Sequence, residues 1–389
     1  MAHKSHSEQT TLKSLVKLLP ATSQGEPRHI GTAVMPDLLL DPVYANTVET
    51  EFDTVCVEHH LKWEPLLASK LARTGECVYD FTDADFIVDW ALSKGLSVKG
   101  HTLVWHVTSP KFLEEKSAND LMEAVRRHIH TTCGHFYSRI KSWDVVNEAL
   151  APDGSFAETM FTKKLPALEF IEDCFRWAKT ADPLPRLIYN DNKVEAVNAQ
   201  KAIEMYQMLK ILKSRNTPLD AAGLQAHFDA SGTGLKRPAA PGLIFRQIEK
   251  LADIGLSTNI SELDVRVAKL AGFDLDGKNR VQKDIYERTL TSCFRSTHFD
   301  GVTFWGFTDK HTWCNTFYWP DTPLLFDINF KRKPAYYGVC NSIMNVLNEM
   351  DWEGDWVPSS PVMTHSAASE SAPPRTDLPD WKLEDHNVA

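Results

Sequence analysis

The sequence predicts a single closed (β/α)8 barrel, and three observations carry that expectation. Eight short apolar runs alternate with helix-patterned stretches along the chain. No second composition regime interrupts the alternation. The polar residues able to do chemistry gather where the apolar runs stop, and a barrel places its active site at the C-terminal ends of its strands. At 389 residues the chain is long for an ordinary domain but normal for this fold.

Residues 1–27 are polar and unpatterned and read as a flexible lead-in, with the barrel expected over 28–350. The first two strands are predicted at 30–34 and 52–57. Thr82-Asp83-Ala84-Asp85 has the form of a capping box, and it leads a helix with Phe86, Ile87, Trp90 and Ala91 on one face and Gly95 past its end. The third strand, 98–105, runs into His106. A helix opens at Asn119 and continues to Cys133, with Gly134 as its stop. The fourth strand, 142–147, is an apolar, β-branched run (Trp143, Val145, Val146) that ends abruptly in Asn147 and Glu148. A helix over 168–179 precedes the fifth strand, 186–189. A long helical pattern at 195–213 stops near Asn216-Thr217-Pro218, before the sixth strand at 221–225. A helix at 241–254 ends on Gly255, ahead of the seventh strand, 257–263. A helix over 281–295 leads to the eighth strand, 301–304, and one over 334–347 closes the set. Residues 357–389, rich in Ser, Pro and Ala, read as a disordered tail.

Composition is that of a soluble globular protein, 43% apolar and 24% charged, so a large core is affordable. A net charge of -10 argues against nucleic acid or an anionic membrane as partner. The seven cysteines are scattered without a CxxC pair, which favours reduced thiols over a disulfide framework or a zinc site. Leu15, Val16, Leu18 and Leu19 are too few and too broken by Lys17 and Pro20 for a signal-peptide core, and no apolar run is long enough to span a membrane. As written the chain reads as cytoplasmic, or as secreted if it is a processed form. A monomer without cofactor is expected.

The predicted strand exits carry Glu58 to Trp63, His101 to His106, Asn147-Glu148, Asn190-Asp191, Gln225-Ala226-His227, Glu262-Leu263-Asp264 and Trp305. Acids, amides, imidazoles and indoles converge, with neither a serine nucleophile elbow nor a glycine-rich phosphate loop. Such a set suits sugars, whose hydroxyls need bidentate polar partners and whose ring faces need aromatics. A carboxyl at the edge of an apolar wall has its pKa raised toward that of a usable general acid, which nominates Glu148. Glu262, at the end of the seventh strand, lies nearly across the barrel mouth from it. Separations of about 5–5.5 Å and about 6.5–9.5 Å between two such carboxyls correspond to retaining and inverting hydrolysis. His227 and Asp264 are placed to hydrogen-bond Glu262 and keep it ionised. A lone strand-end glutamate is more often a salt-bridge partner than a catalyst; two on the fourth and seventh strands reverse that weighting. His59-His60 are consecutive and cannot both face inward, and His128 and His130 fall on opposite sides of a helix pattern and read as surface residues, so no metal site is expected.

Five motifs in order then resemble glycoside hydrolase family 10, the retaining endo-β-1,4-xylanases. They are the runs Gly100 to His106, Trp143 to Glu148, Ile260 to Asp264, Phe304 to Lys310 and Lys333 to Tyr337. The resemblance implies that Glu148 is the acid/base, Glu262 the nucleophile, and Asn147 the reader of the sugar's 2-hydroxyl. It also implies that Lys62, His101 and Gln225 grip the same sugar, beside Glu58. His227 and Asp264 would orient the nucleophile, and Trp105, Trp305 and Trp313 would form the aromatic walls.

The departures concern specificity. His59 and His60 stand where the family usually has Asn-Glu, His59 replacing an asparagine that contacts the second sugar back from the cut. Asn192-Lys193 replace a usual Tyr-Asn, and Cys314 stands where arginine is common. The leading expectation is cleavage of xylan or xylooligosaccharides. The alternative is a family member retargeted to another β-glycoside such as a plant steroidal glycoalkaloid (saponin). The third, from another class, is a catalytically silent sugar-binding barrel.

Overall fold

The computed structural model describes residues 10–67, 78–232, 237–318 and 320–354. Nine strand segments, β1 (His29–Val34), β2 (Thr54–Val57), β3 (Ser97–Val104), β4 (Ser142–Asn147), β5 (Arg186–Asp191), β6 (Ala221–Leu224), β7 (His227–Asp229), β8 (Ser257–Arg266) and β9 (Phe299–Phe304), are all parallel. β1 pairs with both β2 and β9, which closes the ring. β6 and β7 both pair with β8, so they are successive parts of one stave interrupted at Gln225 and Ala226. Nine segments therefore make the eight staves of a (β/α)8 barrel.

Helices cover the outside. In chain order they are α1 (Leu12–Val16), α2 (Pro36–Leu39), α3 (Pro42–Glu51), α4 (Thr82–Ser93), α5 (Ala118–His135), α6 (Ala167–Ala181), α7 (Gln200–Ser214), α8 (Pro241–Ala252), α9 (Leu275–Phe294), α10 (Cys314–Phe317) and α11 (Pro334–Gly354). The staves are sandwiched between this shell and the barrel interior, which is why every residue of β2 and of β8 is buried. Two glycines make room for site-bearing neighbours. A Cβ on Gly100 would stand 2.2 Å from the Trp143 ring, and one on Gly223 would stand 2.3 Å from Asn190 Oδ1.

The structure departs from expectation at several points. Residues 12–16, expected within a flexible lead-in, form α1, whose Leu12, Leu15 and Val16 are buried with Leu19. Thr11 caps it, and Glu51 accepts the Leu12 N–H at 3.0 Å, so tertiary contacts order a stretch with little intrinsic signal. α4 starts at Thr82 as expected, but the Thr82 N–H is taken by Asp80 at 3.0 Å and no capping box forms. Gly134 lies inside α5 instead of stopping it. α7 starts at Gln200, five residues later than its periodicity suggests, because Glu195 is drawn inward to a backbone N–H of another stave. β8 runs past Leu263 to Arg266 and so carries Asp264.

His128, expected at the surface, is fully buried. Its ring stacks on Trp63 at 4.2 Å and its Nε2 meets the Leu103 carbonyl at 2.9 Å. Burial pushes its pKa down to about 3, against the raising effect of that carbonyl, so the ring packs neutral. The six cysteines among the described residues are free thiols. Among the described residues no helix is long and apolar enough to cross a membrane. The tail expected over 357–389, like residues 1–9, lies outside the described residues.

Candidate active site

The two glutamates are built differently. Glu148 follows β4 and turns into the left-handed region (φ 56°), a conformation a non-glycine side chain holds only when its surroundings fix it. Its N–H donates to the Asn190 carbonyl at 2.9 Å. Its carboxylate is half-buried and takes two neutral donors, Gln225 Nε2 on Oε1 at 2.9 Å and Trp105 Nε1 on Oε2 at 3.0 Å.

Glu262, within β8, is buried, 4% exposed. Asn190 Nδ2 donates to its Oε1 at 2.7 Å and His227 Nε2 reaches its Oε2 at 3.0 Å. His227 Nδ1 is held in turn by Asp264 Oδ2 at 2.7 Å, an oxygen that also accepts from Trp313 Nε1 at 2.7 Å. Asp264 therefore acts on Glu262 through His227, not by direct contact. Burial works against the Glu262 charge, but the His227 hydrogen bond and the positive field of His101, His227 and Lys99 outweigh it and hold the carboxyl down to about 2. For His227 burial again opposes the charged form, and Asp264 and Glu262 overcome it, raising the imidazole to about 10.

The shift on His227 has a stability consequence. A histidine whose folded pKa lies above its ordinary 6.5 contributes stability that is full below about pH 6.5 and is lost as pH climbs through about 10. The stability gap between the wild type and His227→Gln, measured by chemical denaturation, is expected to narrow steadily over that interval. A gap independent of pH would contradict the buried ionic triad.

The glutamates are joined through amides. Asn147 Oδ1 accepts from Asn190 Nδ2 at 2.9 Å and from Gln225 Nε2 at 3.3 Å, so a continuous path runs from Glu148 through Gln225, Asn147 and Asn190 to Glu262. His101 is turned by Asp144, at 2.8 Å, so that its Nδ1 lies 3.9 Å from Glu262 Oε1. Lys62 Nζ sits 5.0 Å from the Trp105 ring centroid and 5.9 Å from that of Trp305. Trp305 also meets the rings of His101 at 5.0 Å and His227 at 6.2 Å, edge to face. Glu58, half-buried just after β2, is raised to about 7 by burial against the lowering effect of Lys62. His59 is exposed and packs edge-on against His60 at 5.5 Å, outside the amide path.

Sequence reasoning singled out Asn147, Glu148, Gln225, His227, Glu262 and Asp264, and the fold brings all six together. It set Asn190 at a strand exit without giving it a role, and gave none to Ser261, Asp144, Lys99 or Glu195. Asn190 is the hub, its Oδ1 accepting from Ser261 Oγ at 2.6 Å. The signal that marks it is register: β4 and β5 pair Asn147 directly with Asn190. Among the described residues no group of three His, Cys, Asp or Glu side chains is set to hold a metal ion.

A parallel barrel whose mouth pairs two glutamates across an amide network and walls them with indoles defines a carbohydrate-cleaving hydrolase. The comparisons with known proteins narrow that class. The model of glycosyl hydrolase family 10 matches residues 19–342. The chain is 32% identical to endo-1,4-beta-xylanase B of Thermotoga neapolitana over 313 residues, which is 79% of this chain and 85% of that one. Among solved structures, native xylanase 10B from Thermotoga maritima superposes with a TM-score of 0.77 at 32% identity, covering 87% of this chain and 100% of that one. Xylanase 10B from Thermotoga petrophila RKU-1, in complex with xylobiose, gives 0.76 at 32% identity, covering 86% and 98%. This chain belongs to glycosyl hydrolase family 10.

Proposed function

We propose that the enzyme cleaves β-1,4-xylosidic bonds in xylan or xylooligosaccharides with net retention, by double displacement. The observation that carries this reading is the contrast between the two carboxyls. Glu262 is held ionised by His227, His101 and Lys99, as a nucleophile must be, while Glu148 is half-buried and, among the described residues, accepts only from the neutral donors Gln225 and Trp105.

In the first step Glu262 attacks the anomeric carbon while Glu148 gives its proton to the departing glycosidic oxygen, leaving a glycosyl ester on Glu262. In the second, Glu148 takes a proton from water, which displaces Glu262 and restores the original configuration. Asn147 Oδ1 is committed to Asn190 and Gln225, so its amino group is the part that donates to the sugar's 2-hydroxyl, a contact that strengthens toward the transition state. Lys62, His101 and Gln225 hold the same sugar, and Trp105, Trp305 and Trp313 supply its apolar walls. The relatives named as xylanases support xylan as the substrate. Reducing-sugar release from xylan, set against a panel of aryl β-glycosides and steroidal glycoalkaloids, tests it. Hydrolysis of no member of the panel would favour a silent sugar-binding barrel.

One observation favours a second reading, a family member retargeted to another β-glycoside. His59 presents an exposed imidazole at the rim, held down to about 4 by burial of its inner edge and by the charges of Lys62 and His60. A neutral imidazole offers one donor and one acceptor on opposite sides of a ring, where an asparagine offers both from one fork. His59→Asn is expected to raise kcat/KM on xylooligosaccharides by roughly threefold to tenfold, the worth of about one hydrogen bond. An unchanged value would remove His59 from the specificity-determining residues.

A further inference from the structure

We propose that Glu195, which lies between β5 and α7 and touches neither carboxyl, is a positioning residue that sets the geometry of both. The proposal rests on the double-displacement reading of the site. Glu195 is 6% exposed, and its Oε1 accepts the Ala226 N–H at 2.8 Å. Ala226 sits where the stave breaks between β6 and β7. Across that break the pairing with β8 slips by one residue, from Leu224 opposite Ile260 to His227 opposite Asp264. The extra residue lies on β8, and Ala226, on the shorter side of the slip, is left-handed (φ 61°) although it carries a Cβ. Its N–H has lost its place in the ladder, and without Glu195 it would be a buried donor next to a strained backbone.

The two neighbours of this alanine are what make the clamp matter. Gln225, on one side, reaches Glu148 Oε1 at 2.9 Å and Asn147 Oδ1 at 3.3 Å. His227, on the other, reaches Glu262 Oε2 at 3.0 Å. The Gln225 carbonyl also accepts the Glu262 N–H at 3.0 Å. A three-residue turn thus touches the proton-exchanging group on one side and the nucleophile on the other, and its central peptide is held at both ends, its carbonyl by the Glu262 N–H and its N–H by the Glu195 carboxylate. If that peptide relaxes out of the left-handed region, Gln225 and His227 rotate together and both glutamates lose a partner. A purely structural role would be to satisfy one buried N–H, with a cost to stability only.

Three variants separate these roles, each compared with the wild type in kcat, KM and thermal midpoint. Glu195→Ala is expected to lower kcat by roughly tenfold to a hundredfold with KM within about twofold, since small misplacements of reacting groups cost that much. Glu195→Gln keeps an acceptor oxygen and is expected to retain most of kcat. In Glu195→Ala/Ala226→Gly the left-handed conformation carries no Cβ penalty, so a large part of kcat returns without the carboxylate. A Glu195→Ala enzyme with wild-type kcat, a Glu195→Gln enzyme as impaired as Glu195→Ala, or a double variant worse than the single would each overturn the proposal. Should Glu195→Ala not fold, the kcat of Glu195→Gln and of the double variant decides on the same terms. The imidazole N–H resonances of His227, visible whether or not substrate turns over, are expected to shift in Glu195→Ala and to return in Glu195→Gln; unmoved resonances would also overturn it. An inactive wild type whose His227 resonances follow this pattern would sink the double-displacement reading and leave the clamp standing.

Discussion

Replacing Glu262 with alanine is expected to lower kcat on the order of 10^4- to 10^6-fold, the usual consequence of deleting a covalent nucleophile. The side chain is buried and held by Asn190 and His227, so its removal leaves a charged His227 facing a cavity of carboxylate size. Azide suits that cavity in size and sign. Added to Glu262→Ala with an activated aryl β-xyloside, it is expected to restore part of the rate and to give the α-glycosyl azide, because it attacks from the face Glu262 occupied. Wild-type activity in this variant would remove Glu262 from the mechanism.

Glu148→Ala carries the second-largest expected effect and leaves the opposite signature. On an unactivated xylosidic bond the loss of the proton donor is expected to cost about 10^2- to 10^4-fold. On a dinitrophenyl xyloside, whose leaving group needs no proton, formation of the glycosyl ester is expected to stay fast while its hydrolysis becomes limiting. Azide needs no general base, so it is expected to speed turnover and to yield the β-glycosyl azide, with configuration retained. Product analysis by NMR reads both stereochemical outcomes. An α-azide from Glu148→Ala, or equal losses on both substrates, would exclude Glu148 as the acid/base.

Much of this molecule was legible in the sequence because a barrel strand is buried on both sides and writes itself as an unbroken apolar run. The same fact exposed Glu148, at the end of the Trp143 to Val146 run, and Glu262, inside a β8 buried along its whole length. What stayed hidden depends on register and on contacts distant in sequence. Asn190 is an ordinary strand-end asparagine until β5 sets it opposite Asn147 and Gly223 opens the space its side chain crosses. Glu195 belongs to a helical pattern by periodicity, yet its partner is a backbone N–H on another stave. α1 is hidden for a related reason, since its few apolar residues are ordered by burial and by the contact with Glu51. His128 shows the limit of a spacing argument. Two residues apart on a helix do face different ways, but one of those ways led onto Trp63 in the core.

Mechanism and specificity also differ in legibility. The amide path from Glu148 to Glu262 uses residues at strand ends, whose positions the barrel dictates. His59 lies on a loop, exposed beside His60, and no strand of the barrel fixes its place.

Covalent trapping bears most directly on the double displacement. A 2-deoxy-2-fluoro-xyloside with an activated leaving group slows both steps but the second more, so the glycosyl ester accumulates. Digestion and mass spectrometry of the inactivated enzyme should then find one fluoroxylosyl group on the peptide that contains Glu262. An adduct on any other residue, or none under conditions where the unfluorinated substrate turns over, would contradict the assignment of Glu262 as nucleophile.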